Sequence, residues 1–107
     1  MEALVVYITA PSEEEAAKIA KALVKERLAA CVNIIKDIRS IYSWQGKIED
    51  ERELLMIVKT RPELFSSLKT RVKELHPYAV PEIIGLPVVD GSEEYLAWLR
   101  ETTKQNE

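Results

Sequence analysis

The apolar and polar positions along the chain have strand character in four places. Residues 3–10 form a continuous apolar, β-branched run, which is typical of a strand buried on both faces. β-Forming residues over 30–44 and again over 48–60, with a Gln-Gly-Lys turn between them, predict one long hairpin. A last strand is predicted over 83–89, and Pro87 within it indicates a sheet edge because proline has no N–H for a strand ladder.

Helical spacing of apolar residues predicts three helices between and after these strands. Ser12 is expected to cap the first helix, whose opening turn is acidic and whose apolar residues then recur three and four positions apart. Thr60 and Glu63 are expected to form the capping box of the second helix, and Pro77 is expected to end it. Ser92 is expected to begin a short third helix.

The order of these elements, strand-helix-strand-strand-helix-strand-helix, indicates a single α+β domain over residues 1–107. It matches the split βαβ, ferredoxin-like arrangement, in which an antiparallel sheet carries its helices on one face. The strands would then lie in the spatial order 4-1-3-2, which puts the proline-containing strand at an edge. The polar tail over 102–107 is expected to fray.

The long hairpin is expected to extend beyond the helices that cover the sheet. Its first strand would span about 46 Å, whereas a first helix of about 16 residues covers only about 24 Å. Apolar residues in its far half have no layer of the same chain to bury them: Ile38, Ile41, Tyr42 and Trp44. A closed homo-oligomer would shelter this surface. The alternative is that a bulge near Lys36 and Asp37 folds the hairpin back over its own sheet.

Charge and composition exclude several classes of partner. The chain has 15 basic and 18 acidic residues and no basic block, so neither nucleic acid nor an anionic membrane surface is a natural partner. No apolar run approaches the roughly 18 residues of a membrane span. The single cysteine, Cys31, and the lack of an export signal indicate a reducing cytoplasm. A charged fraction of 31%, rich in Glu and Lys, favours a heat-tolerant source.

The segment 76–87 concentrates residues with possible chemistry. It contains the only histidine, His76, and the carboxylate Glu82 between a proline and two isoleucines. Glu82 either forms part of a binding surface or faces water at the start of a strand. His76 either joins Glu82 in a metal site gathered from neighbouring chains or serves a structural role at a helix C-terminus. Cys31 is a weaker metal ligand candidate, because free cysteine is more often a small buried hydrophobe.

A second set of residues is predicted to line a cleft for a small ligand. Tyr42, Trp44 and Tyr78 would supply the aromatic walls. Lys59 and Glu82 would be the polar anchors. The same rings are also suited to packing between subunits, and we expect them to do both.

Enzymatic motifs are missing from the sequence. It has no glycine-rich phosphate loop, no paired-cysteine or paired-histidine metal motif and no second histidine to accompany a nucleophile. The loop over 10–13 is acidic and would repel phosphate, and residues 54–58 have no aromatic side chain for stacking on RNA bases.

Four stretches closely resemble the CutA divalent-cation tolerance family: residues 9–11, 28–33, 40–49 and 76–83. The match spans nearly the whole chain, in the family's order and spacing. The resemblance implies a ferredoxin-like homotrimer, cytoplasmic in bacteria, whose long hairpins join the subunits. It also implies an inter-subunit cleft near the His-Pro-Tyr segment and a role in metal tolerance with copper binding.

The chain departs from that family at two positions of the copper site. The resemblance implies a copper site in which a cysteine precedes the Thr-Ala-Pro segment and a second histidine precedes the His-Pro-Tyr segment. This sequence has Ile8 and Leu75 at those two positions, so only His76 remains. Cys31 lies in a different strand. Two functions therefore stay open: a trimeric metal-response protein that binds copper or another divalent cation weakly, and a PII-like trimeric scaffold that binds a small molecule in the inter-subunit cleft.

Overall fold

The computed structural model describes residues 2–105 and has the α+β, ferredoxin-like fold that the sequence predicts. The four strands form one antiparallel sheet in the order β2-β3-β1-β4, which confirms the expected spatial order. The elements are β1 Ala3–Ala10, α1 Glu13–Lys25, β2 Cys31–Trp44, β3 Lys47–Thr60, a 3-10 turn Pro62–Leu64, α2 Phe65–Leu75, β4 Ile83–Val88 and α3 Glu93–Thr102.

The main core lies between one face of the sheet and the helices α1 and α2. Side chains from alternate positions of β1 and β3 meet the apolar stripes of both helices there, because successive strand residues point to opposite faces. The fully buried members include Val6, Ile8, Ile19, Leu23, Met56, Val58, Leu68 and Val72. No helix within residues 2–105 has the length and apolar character needed to cross a membrane.

Two of the predicted helix caps are present. Ser12 Oγ accepts a hydrogen bond from the backbone N–H of Glu15 at 3.2 Å, and Ser92 Oγ accepts one from Tyr95 at 3.3 Å. Each serine therefore satisfies one of the free N–H groups at the start of its helix.

The predicted cap at Thr60 is wrong. Thr60 is the last residue of β3, it is fully buried, and its hydroxyl donates to the carbonyl of Leu28 at 2.6 Å. Arg61 takes the N-terminal position before the 3-10 turn, without a side-chain cap, and its Nη1 lies 3.0 Å from Oε2 of Glu63. Pairing of Thr60 with Leu4 of β1 explains the difference, because sheet pairing extends to the end of the apolar run.

The expected fraying of the tail is wrong for residues 102–105. Thr103 is fully buried, and Arg61 donates from Nε to its hydroxyl at 2.8 Å and from Nη2 to its carbonyl at 2.9 Å. Gln105 donates to the carbonyl of Arg27 at 3.1 Å. The remainder of the predicted tail, residues 106–107, lies outside the described residues.

The hairpin extends past the other strands, as the sequence predicts. β3 pairs with β1 only as far as Leu54 and Ala10, so residues 38–53 form a two-stranded ribbon without a third strand. We call these residues the ribbon. Gln45 and Gly46 join its strands with φ of 50° and 79°, which is the left-handed backbone of a tight two-residue hairpin loop.

A bulge is present where the alternative interpretation expected one, but the ribbon does not fold back. The pairing register shifts between Ile35 and Ile38, and Asp37 has φ of 60°. Beyond this bulge Ile41 is 62% exposed and Ile48 is 75% exposed, and the long axis of the molecule measures 44 Å. The bulge therefore leaves the apolar residues of the ribbon uncovered by their own chain.

The face of the sheet opposite α1 and α2 is also apolar. Tyr7 of β1 lies directly across from Ile57 and Ile84, so all three side chains share this face. Leu86 and Ile35 extend the same face, and both are among the exposed large hydrophobic residues. We call this surface the open face.

Candidate functional site

His76 is buried at the C-terminal end of α2, and both of its ring nitrogens have protein partners. Its Nδ1 accepts a hydrogen bond from the backbone N–H of Tyr78 at 3.1 Å, so this nitrogen carries no proton. Its Nε2 lies 2.7 Å from the carbonyl oxygen of Thr9 and is therefore the donor. Both nitrogens thus serve hydrogen bonds within the protein, which is the geometry expected for a structural role at the end of α2, and the alternative role of His76 as a metal ligand stays a prediction.

Tyr78 connects this histidine to a buried carboxylate, Glu53. The Tyr78 hydroxyl donates to Oε2 of Glu53 at 2.8 Å, and its ring lies against His76 with centroids 4.8 Å apart. Burial and the hydrogen bond to Glu53 raise the pKa of Tyr78 well above its ordinary value, so the phenol stays a donor. Thr9, His76, Tyr78 and Glu53 thus form one series of hydrogen bonds, which we call the His76–Tyr78–Glu53 chain.

Glu53 is a site residue that the sequence interpretation missed. It is only 5% exposed, although carboxylates are rarely buried without a partner. Its position explains the burial: it is the first β3 residue beyond the last pair with β1, at Leu54, and it lies across from Ile38. One signal in the sequence could have indicated that Glu53 is buried. It is a carboxylate directly before the apolar run 54–58, and the chain has tyrosines that could donate a hydrogen bond to it.

A cavity of about 230 Å³ lies beside Glu53 at the bulge of the hairpin. We call it the bulge cavity. Its lining residues come from the start of α1 and from both strands of the hairpin: Pro11, Glu13, Lys36, Asp37, Arg52, Glu53 and Leu54. Across its rim, Lys36 Nζ lies 3.0 Å from Glu13 Oε1, and Arg52 Nη1 lies 4.0 Å from Asp37 Oδ1. The cavity therefore combines a buried acceptor with exposed groups of both charges.

Two of the predicted cleft residues, Tyr42 and Trp44, lie on the ribbon. Tyr42 is opposite Glu49 and Trp44 is opposite Lys47, and both rings are more than one-third exposed. Partial desolvation and the nearby carboxylate of Glu51 raise the pKa of Tyr42. The aromatic face of the ribbon and Tyr78 thus border the same acidic surface, since Glu51 and Tyr42 also contribute to the raised pKa of Tyr78.

One of the two predicted polar anchors, Lys59, is not brought to this place within one chain. Lys59 pairs with Cys31 and Val5, and it stands six residues along β3 from Glu53, which corresponds to about 20 Å of strand. Glu82 is exposed immediately before β4. A cleft that used Lys59 together with Tyr78 would need a neighbouring subunit, and the assignment of Lys59 and Glu82 to a cleft stays a prediction.

The side chains of a single chain do not fit a tight site for copper. Ile8 is buried in the core, Leu75 packs against that core, and the nitrogens of His76 are already engaged. Cys31 is half-buried, and its Sγ lies 3.9 Å from Oδ1 of Asn33, at the opposite end of the sheet from the Thr9 carbonyl that His76 contacts. In the part of the chain that the structure describes, no three His, Cys, Asp or Glu side chains are grouped so that they could hold a metal ion.

Comparison with known proteins gives one consistent result. A sequence model of the CutA1 divalent ion tolerance protein family matches residues 4–102. The chain is similar to the divalent-cation tolerance protein CutA of Thermus thermophilus, with 62% identity over 92% of this chain and 96% of that protein. A solved structure of the divalent cation tolerance protein Cut A1 from Thermus thermophilus superimposes with a TM-score of 0.93 at 60% identity, covering 95% of this chain and 99% of that one. The structure of the periplasmic divalent cation tolerance protein CutA from Archaeoglobus fulgidus gives a TM-score of 0.93 at 48% identity, with the same coverage of 95% and 99%.

Proposed function

Since the chain belongs to the CutA1 divalent ion tolerance family, we propose that it serves the tolerance of divalent cations as a homotrimer, without catalysing a reaction. The observation that carries the proposal is the apolar surface that one chain leaves uncovered, on the ribbon and on the open face. Exposed apolar surface of this extent is typical of a protein that buries it against a partner.

The topology supports a ring of identical chains. The two free edges of the sheet belong to different strands, β2 and β4. A contact between one edge and the other is head-to-tail, and head-to-tail contacts close into rings when the rotation allows. Light scattering is expected to give a mass three times that of the 12.2 kDa chain. A mass of one chain in dilute neutral buffer would refute the trimer.

The protein is proposed to bind copper or another divalent cation only weakly. The imidazole of His76 is held by two hydrogen bonds, and Ile8 and Leu75 offer no donor atoms. Tight binding of such metals usually needs three or four ligands that include His or Cys. Calorimetry with Cu(II) is expected to show weak binding to the wild type, and no heat at about millimolar protein would end this part of the proposal.

A variant that is expected to bind Cu(II) more tightly also tests the proposed copper site. Leu75→His restores a second histidine next to His76 and is expected to tighten Cu(II) binding by about tenfold or more. A matched variant at the same helix, Lys73→His, places its imidazole on an exposed position without that neighbour and is expected to leave the affinity unchanged. Equal affinities for the two variants would contradict a copper site at the end of α2.

Two further properties complete the proposal. The single half-buried cysteine favours a reducing cytoplasm, although the similar protein from Archaeoglobus fulgidus is named as periplasmic. The charged composition, together with a similar protein from Thermus thermophilus, favours heat tolerance. A melting temperature in the ordinary mesophile range would contradict heat tolerance, and fractionation of the native host would test the location.

A second function, a PII-like scaffold that binds a small molecule, is favoured by the buried Glu53. A carboxylate held by Tyr78 beside a cavity is an arrangement suited to recognising a ligand. A thermal-shift screen with a metabolite library is expected to give hits on the wild-type trimer, and a screen without hits would count against this function.

A further inference from the structure

The bulge cavity is lined by a buried carboxylate, Glu53, and only one of its two oxygens accepts a hydrogen bond from a side chain of the described residues. Glu53 is 95% buried, and within residues 2–105 its only side-chain hydrogen bond is the one from Tyr78 to Oε2. Its other oxygen, Oε1, has no hydrogen-bond donor there but remains accessible to solvent, since no buried side-chain N or O atom of the described residues lacks a partner, and Glu53 lines the cavity. An oxygen that is open to the cavity can accept a charge-assisted hydrogen bond from a ligand that brings an N–H or ammonium group to it.

The rest of the cavity wall carries two cationic side chains, Lys36 and Arg52, and two anionic ones, Glu13 and Asp37. Lys36 and Arg52 line it from the two strands of the hairpin, and Pro11 and Glu13 line it from the start of α1. The cavity therefore offers one site for a cationic donor, at Glu53, and cationic groups nearby for an anion.

The cations on the rim are available for exchange. The pairs Lys36–Glu13 and Arg52–Asp37 join side chains that are at least 61% exposed. Exposed pairs of this kind contribute little free energy, so a ligand carboxylate can replace Glu13 or Asp37 at small cost. The 230 Å³ of the cavity corresponds to about seven or eight water molecules at about 30 Å³ each, which suits a ligand of a few non-hydrogen atoms.

We propose that the bulge cavity binds a small zwitterion of the free amino acid class, with its ammonium group on Glu53 and its carboxylate group on Lys36 or Arg52. The His76–Tyr78–Glu53 chain positions the acceptor, and this assigns His76 and Tyr78 to ligand recognition through Glu53. The proposal rests on the small-molecule function described above and is independent of copper binding.

The test is a thermal-shift and calorimetry series with the twenty free amino acids as probes. At least one is expected to raise the melting temperature at about 10 mM and to bind with a Kd of about 1 mM or tighter. Acetylation of its amino group or amidation of its carboxylate is expected to weaken binding by about tenfold or more. Methylamine and acetate, which each carry one of the two charges, are expected not to bind measurably.

Substitutions locate the site. Glu53→Gln keeps an acceptor for Tyr78 and removes the charge, and it is expected to weaken binding by about tenfold or more. Arg52→Gln and Lys36→Gln together test the anion side, at exposed positions that tolerate substitution. Glu51→Gln is the control, because Glu51 is an exposed carboxylate of the same strand that does not line the cavity. It is expected to bind like the wild type.

Three results would overturn the proposal. They are the absence of any shift or heat with all twenty probes, equal binding of acetate or methylamine, and unchanged binding by Glu53→Gln. Light scattering on each variant is measured alongside, so that loss of the trimer is recognised separately from loss of the ligand.

Discussion

At the scale of single residues, the hydroxyl of Tyr78 is the group on which the buried Glu53 depends. Tyr78→Phe removes the donor at 2.8 Å and leaves both carboxylate oxygens without a side-chain partner. We expect the free energy of unfolding to fall by about 1–3 kcal/mol, measured by urea denaturation. Tyr7→Phe is the control, because Tyr7 makes no side-chain hydrogen bond within the described residues, and its change is expected to stay within about 0.5 kcal/mol.

Tyr78 also predicts a dependence of stability on alkaline pH. Burial and the hydrogen bond to Glu53 raise its pKa in the folded protein. The folded state therefore keeps the phenol proton at a pH where the unfolded state has lost it, so this contribution is present below about pH 10 and declines as the pH rises. Wild-type stability is expected to fall more steeply above about pH 9 than that of Tyr78→Phe. Part of the slope should remain in the variant, since the pKa values of Tyr42 and Tyr95 are also raised; identical slopes would contradict the prediction.

Single residues also show what could not be predicted from the sequence. The strand alternation gives Glu49, Glu51 and Glu53 the same face, and nothing local separates them. Only the end of β1, at Ala10, decides that Glu53 is buried while Glu51 is exposed. The predicted helix cap at Thr60 is wrong for the same reason, because the long-range pairing of Thr60 with β1 outweighs its local preference for a helix cap.

At the scale of elements, the ribbon depends on a loop in which two residues have left-handed backbone. Gly46 has no neighbouring atom within 4 Å of an added Cβ, so Gly46→Ala tests the backbone alone. We expect a loss of about 1 kcal/mol in the free energy of unfolding, because φ of 79° is unfavourable for alanine. Gln45→Asn is expected to gain a few tenths of a kcal/mol, since asparagine adopts this conformation more readily. Urea denaturation of both variants measures the difference, and changes of the same sign would contradict the loop assignment.

The strands and helices themselves could be predicted because their patterns are long and consistent. The hairpin was expected over 30–44 and 48–60, and β2 and β3 match these bounds to within a residue. The bulge at Asp37 was foreseen only as part of an alternative, because a register shift depends on how two strands pair and not on either strand alone. The position of the bulge cavity depends on that shift, so it could not be derived from the sequence.

At the scale of the whole molecule, the length of the ribbon sets the expectation of an oligomer. Ile41 and Ile48 lie on one face of the ribbon, opposite the face of Tyr42 and Trp44, and both are exposed in the single chain. Burying an isoleucine side chain contributes about 1.5–3 kcal/mol, so six such side chains in a trimer would form a large part of its stability.

The double variant Ile41→Lys, Ile48→Lys is therefore expected to shift the mass from three chains towards the 12.2 kDa of one, measured by light scattering. Val24→Lys is the matched control, because Val24 is 40% exposed on α1, on the other side of the sheet from the open face. The melting temperature of the wild type should rise with protein concentration, whereas that of the double variant should not, since only association makes it concentration-dependent. A double variant that keeps both the mass and the concentration dependence of the wild type would show that the ribbon is not the surface that joins the chains.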